Sequence, residues 1–123
     1  ILTSAENYYS GVNQKEAEDF YEKMKDPSDF QPVMYGMNSR LVKEDGEVKD
    51  KVWKLGGLYG SAIEKIVYWL EKAAGVAENG QQEAVIRILI QFYTDGDLKT
   101  FDDYSILWVK DLDSRIDFVN GFI

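Results

Sequence analysis

The chain has 123 residues, 45% of them hydrophobic and 29% charged, with a formal charge of −8 and a pI near 4.5. That composition suits one globular domain, or part of one, with a real core. An acidic chain with no basic run interleaved with aromatics repels phosphate backbones, which argues against nucleic-acid binding. No apolar stretch approaches the ~20 residues a membrane span needs.

There is no Cys and no His. That removes disulfides, thiol nucleophiles, Ser-His triads and any zinc site built on Cys or His. It fixes no compartment, because cytoplasm and periplasm are both compatible with a soluble, cysteine-free chain. The chain opens on Ile1-Leu2 and closes on Gly121-Phe122-Ile123. Apolar ends without a polar tail predict a piece cut from a longer protein.

Residues 1–34 read as a lead-in with one short helix. Tyr8-Tyr9 is read as docking onto neighbouring elements in preference to stacking on a ligand. Asn13-Gln-Lys-Glu16 has the form of a capping box. Ala17, Phe20, Tyr21 and Met24 follow at helical spacing, and Asp26-Pro27 ends the run. Residues 35–56 read as a hairpin followed by a Gly-rich connector. Asp45-Gly46 between β-branched, charged arms is a strong two-residue turn signal, placing the hairpin near 39–53 as an exposed ribbon. A nucleotide-binding glycine loop is rejected because no phosphate motif follows.

Residues 57–110 form the expected helical core. Ser61-Ala-Ile-Glu64 reads as a second capping box. From Ala62 to Ala74 the apolar residues cover more than half the helix circumference, which predicts burial against several neighbours. The next helix spans about Gln81 to Tyr93, with Ala84, Val85, Ile88, Leu89 and Phe92 inward, and the short connection makes the two an antiparallel pair. Asp95-Gly-Asp97 is a turn and cap. A third helix from Asp97 to Trp108 buries Leu98, Phe101, Tyr104, Leu107 and Trp108. Residues 111–123 read as a turn and then a strand from Arg115 to Ile123, whose partner lies outside the chain. The fold class is mainly α, of the α+β kind.

The one cluster with chemical potential is acidic: Asp102, Asp103, Asp111, Asp113 and Asp117. Asp-x-Asp-Ser-Arg could offer oxygens to a hard cation, but it lacks the glycine and distal Glu of a calcium loop. A solvated turn, with Asp113 or Ser114 capping and Arg115 pairing an acid, is the preferred reading. No catalytic, cofactor-binding or metal-binding residue is assigned.

Four stretches carry a resemblance: Tyr35-Gly-Met-Asn-Ser-Arg-Leu-Val-Lys-Glu-Asp-Gly46, Ala62 to Glu78, Phe92-Tyr-Thr-Asp-Gly-Asp-Leu-Lys99, and Ile106 to Phe122. Over residues 35–123 the sequence is similar to the bacterial branch of dipeptidyl peptidase III, zinc metallopeptidases with an H-E-x-x-G-H motif. The resemblance implies a two-lobed exopeptidase that releases dipeptides from peptide N-termini. It places the zinc ligands, two His and a Glu, downstream of this region. It also implies that a Glu and a Tyr following the Asn-Gly-Phe-like segment contact the substrate's N-terminal end. Asn120 to Ile123 would support those contacts without making them.

The implied chain is therefore an inactive scaffold piece that holds no zinc itself. Its partners would be the rest of the peptidase and, through it, the peptide substrate. Two readings compete: a free-standing acidic helical interaction module, and a pseudoenzyme relative without its metal. With partner surfaces missing, the apolar faces of residues 58–74 and 116–123 are expected to be exposed or self-associated.

Overall fold

The computed structural model describes residues 7–121. They fall into two compact units, one up to Val52 and one from Trp53 onward.

The first unit is a small sheet with one helix. Strand β1 is Tyr9–Ser10, helix α1 is Gln14–Glu22, and β2 (Ser39–Glu44) and β3 (Glu47–Val52) form the hairpin. The sheet order is β1-β2-β3, with β1 parallel and β3 antiparallel to β2. Asp45 and Gly46 connect the hairpin with φ of 54° and 83°. Two successive positive values define the primed turn that matches strand twist, as their side chains anticipate.

Helix α1 starts on the expected capping box. Asn13 Oδ1 accepts from Glu16 N and Glu16 Oε2 accepts from Asn13 N, each at 3.0 Å. The other oxygen of Glu16 takes the Lys43 ammonium, tying the helix start to β2. Tyr8 and Tyr9 dock onto the sheet: Tyr8 O accepts from Leu41 N, and Tyr9 pairs with Leu41.

The hairpin is not the exposed ribbon its charge suggested. Ser39, Leu41 and Val42 are buried, Leu41 completely. Burying one leucine stabilises by about 2 kcal/mol, and β1 flanks β2 on the edge opposite β3. Tyr21 lies against this sheet, where burial, with lesser contributions from the Asp50 and Tyr9 charges, pushes its hydroxyl up to about 12.

The second unit is three helices and a C-terminal strap. Helix α2 is Gly60–Ala74, α3 Gly80–Asp95 and α4 Leu98–Trp108. Helix α3 packs against both others. Val85, Leu89 and Phe92 are at most 1% exposed, and the Phe92 and Phe101 rings sit 4.9 Å apart. Of the expected inward residues Ala84 is exposed and Ile88 half-buried; Gln82, Ile86 and Tyr93 are buried instead. Asn79 caps α3, Gly96 closes it at φ 73°, and Asp97 caps α4, as the turn residues require.

Two expectations for the helices of this unit fail. The Ser61 capping box does not form: Tyr59 is the N-cap, left-handed at φ 60°, and makes no side-chain cap bond. Starting at Gly60 puts Ser61 inside the first turn, while Tyr59 O accepts from Ala62 and Ile63. The wide stripe of α2 is also covered on one side only. Ile63 and Ala74 are buried, whereas Ile66, Tyr68 and Trp69 are exposed.

Candidate functional site

The strap from Asp111 to Gly121 is tied to the helices by long-range side-chain hydrogen bonds. No strand forms over its described residues, which correct the expected strand from Arg115; Phe122 and Ile123 lie outside them. The reason is visible in its hydrogen bonds. At Arg115 and Ile116 the main-chain groups that a ladder would use are taken by side chains from the α2–α3 turn and α3.

Glu78 accepts from Ile116 N at 2.8 Å and from Arg115 N at 3.1 Å. Gln82 Nε2 donates to Ile116 O at 2.9 Å while Gln82 Oε1 accepts from Glu78 N at 2.8 Å. Both main-chain groups of Ile116 are thereby satisfied. Asn79 Nδ2 donates to Ser114 Oγ at 3.0 Å, and Ser114 Oγ donates onto the Asp111 carboxylate at 2.8 Å. Gln81 Nε2 reaches Leu107 O at 3.0 Å.

Further along, Trp108 Nε1 donates to Asp117 Oδ1 at 2.9 Å and Tyr93 OH donates to Asn120 Oδ1 at 2.6 Å. Asn120 Nδ2 is enclosed without a hydrogen-bond partner among the described residues.

Electrostatics follow from these contacts. The amides of Ile116 and Arg115, and then the Arg115 charge, hold the Glu78 carboxyl below its usual range. Burial raises the Tyr93 hydroxyl, against a smaller opposing effect of Asn120. Burial pushes Tyr104 up to about 12, with Tyr93 and Asp117 adding to it. Both phenols are therefore neutral near pH 7, and Tyr93 keeps the proton it donates.

The five acids considered for a cation do different work. Asp102, Asp103 and Asp113 are exposed, while Asp111 and Asp117 serve as acceptors within the strap. No group of three or more His, Cys, Asp or Glu able to hold a metal gathers among the described residues. Arg115 reaches Glu78 through its backbone amide as well as its charge. A shallow depression at the start of α2, lined by Leu55, Gly56, Gly57, Tyr59 and Glu64, gathers no comparable polar array. No helix among the described residues is long and apolar enough to cross a membrane.

Glu78, Gln82 and Tyr93 escaped assignment from sequence. One signal was available for Gln82: Asn79 followed three residues later by Gln is itself a capping-box pattern. Asn79 Oδ1 indeed accepts from Gln82 N at 2.9 Å, but the Gln82 side chain reaches Glu78 N, one residue before the cap.

A comparison with curated proteins gave no match. The model of peptidase family M49 matches residues 34–123, a span that includes the hairpin, all three helices of the second unit and the strap. The chain belongs to peptidase family M49, the family of dipeptidyl peptidase III.

Proposed function

We propose that this chain is scaffold within a zinc-dependent dipeptidyl peptidase that releases dipeptides from the N-termini of oligopeptides, and that it does no chemistry alone. The observation that carries this is the family match across the strap and the helices that hold it. The residues present do not fit a family zinc site. The chain has no His, and no donor cluster forms among the described residues. Metal chemistry would fall to other parts of the peptidase, and none is derived for these residues.

What this chain contributes is position. The strap runs to Gly121 under hydrogen bonds from three directions, so groups that follow it start from a fixed point. The exposed faces of α2 and the strap, including Trp69 and Val119, would be covered by the remainder of the peptidase.

The test is hydrolysis of a dipeptidyl-arylamide, with zinc added, by this chain and by the product of its full reading frame. Activity only in the longer product, abolished by a chelator, is expected. Activity in neither favours the pseudoenzyme or the interaction module. Activity in the short chain refutes the scaffold reading.

A further inference from the structure

The chain has two Asn-Gly steps, Asn79-Gly80 and Asn120-Gly121. An Asn followed by Gly can cyclise on itself, because a residue without Cβ leaves its backbone nitrogen uncrowded and free to reach the preceding side-chain amide. The fold treats the two steps differently.

Asn79 is held at both ends of its side chain. Its Oδ1 accepts from Gln82 N at 2.9 Å and its Nδ2 donates to Ser114 Oγ at 3.0 Å. It is also the N-cap of α3, and Gly80 is already helical. Cyclisation there must break both bonds and the cap with them.

Asn120 is held at one end only. Tyr93 OH donates to its Oδ1 at 2.6 Å, while Nδ2 has no hydrogen-bond partner among the described residues. When a nitrogen adds to the amide carbon, negative charge develops on Oδ1, where the phenol already points its proton. Burial raises the Tyr93 hydroxyl, which stays protonated and able to donate. The departing Nδ2 gives up no hydrogen bond. Gly121 lies outside any helix or strand, and nothing stands within 4 Å of where a Cβ would be, so its peptide has room to turn.

We propose that Asn120-Gly121 is a site of spontaneous deamidation, activated by the hydrogen bond from Tyr93. Gly121 N attacks Asn120 Cγ and forms the N–C bond of a succinimide, its own proton passing to water. The Cγ–Nδ2 bond breaks, and Nδ2 takes up a proton and leaves as ammonia. Water then adds to either imide carbonyl and opens the ring, leaving aspartate or isoaspartate at position 120. The net exchange is an amide and a water for a carboxylic acid and ammonia. The product sets a carboxylate against the Tyr93 hydroxyl, and the isoaspartate form adds a carbon to the main chain of the strap. This chemistry belongs to the chain itself and does not rest on the scaffold reading above.

The test incubates the 123-residue chain at neutral pH, folded and in urea, and follows both steps by peptide mass spectrometry. Electron-transfer fragmentation separates isoaspartate from aspartate. In the folded chain Asn120 should convert about tenfold faster than Asn79; in urea the two should run alike, neither faster than folded Asn120. Tyr93→Phe, checked for native circular dichroism, should slow folded Asn120 about tenfold and leave its rate in urea unchanged. Gly121→Ala, which crowds the attacking nitrogen, should slow Asn120 in both states. Should Tyr93→Phe unfold, the folded-against-urea comparison of the unaltered chain still decides. Folded Asn120 reacting more slowly than in urea overturns the proposal, because the hydrogen bond would then protect the amide. Equal folded rates at Asn79 and Asn120, or a folded Tyr93→Phe chain that converts as fast as wild type or faster, overturn it as well.

Discussion

Gln82 offers the most direct measure of what the strap contributes to the second unit. It is 6% exposed and makes two side-chain hydrogen bonds, at 2.8 and 2.9 Å. Replacing it with Ala leaves Glu78 N and Ile116 O without those partners. Each loss costs roughly 0.5–1.5 kcal/mol net, and water can reach both exposed residues, which holds the cost toward the lower half. With the lost packing of the side-chain stem, Gln82→Ala should destabilise by about 2 kcal/mol. Gln82→Glu keeps the oxygen facing Glu78 N but sets a carboxylate against Ile116 O and beside Glu78. It should cost more, about 3 kcal/mol near pH 7, and recover in acid, where a protonated carboxyl can donate. Urea unfolding followed by far-UV circular dichroism reads this, a 2 kcal/mol loss shifting the midpoint by about 1 M. Gln82→Ala within about 0.5 kcal/mol of wild type, or Gln82→Glu the more stable of the two near pH 7, would refute the reasoning.

Three further outcomes follow from the geometry. A Cβ on Gly36, at φ 83°, would lie 2.6 Å from Tyr21 Oη, so Gly36→Ala should cost about 1–3 kcal/mol in thermal unfolding. Adding Tyr21→Phe should recover part of that cost and not all, because the backbone strain persists. Burial raises the Asp50 carboxyl above its ordinary 3.8, against a smaller opposing effect of the Ser39 hydroxyl. A raised native value means stability falls as pH rises from 3.8 through that value. Asp50→Asn should therefore gain about 0.5–1 kcal/mol near pH 7, discounted for partial exposure, and less in acid. The Glu78 carboxyl runs the other way: its native value lies below 4.5, so the contribution of its hold on Arg115 and Ile116 is complete above 4.5 and is lost as pH falls through the native value. The stability gap between wild type and Glu78→Gln should close on acidification, and a gap that widens would contradict that hold.

The parts of the fold legible in the sequence are those decided within a few residues. Asn13 and Glu16 satisfy each other's amides, Asp45-Gly46 accepts positive φ, and Gly96-Asp97 ends one helix and caps the next. Each is a local competition that the side chain itself settles. The misreadings come where a distant partner decides. Strand β1 is two residues long and pairs across thirty-two positions, Tyr9 to Leu41, with no periodicity to announce it. Its presence makes a charged hairpin arm the central strand of the sheet. On α2 the apolar stripe was read correctly as a stripe, but only one edge of it meets α3 among the described residues, so Trp69 stays 68% exposed.

The strap shows the same limit. Ile116, Phe118 and Asn120 alternate as a strand would, and alternation records which side chains share a face, not what their backbone binds. Here the backbone at Arg115 and Ile116 binds carboxylate and amide side chains across 34 to 38 residues, which occupies three groups that a neighbouring strand would need. Glu78 looks like any solvated acid in a helix–helix turn until its two oxygens are seen on two successive amides. Gln82 looks like a surface polar residue until it is found buried. A family resemblance could mark this stretch as part of a peptidase, because it compares whole segments. Only the geometry shows how the segment is held: an exposed carboxylate fixes the path of the main chain at Arg115 and Ile116.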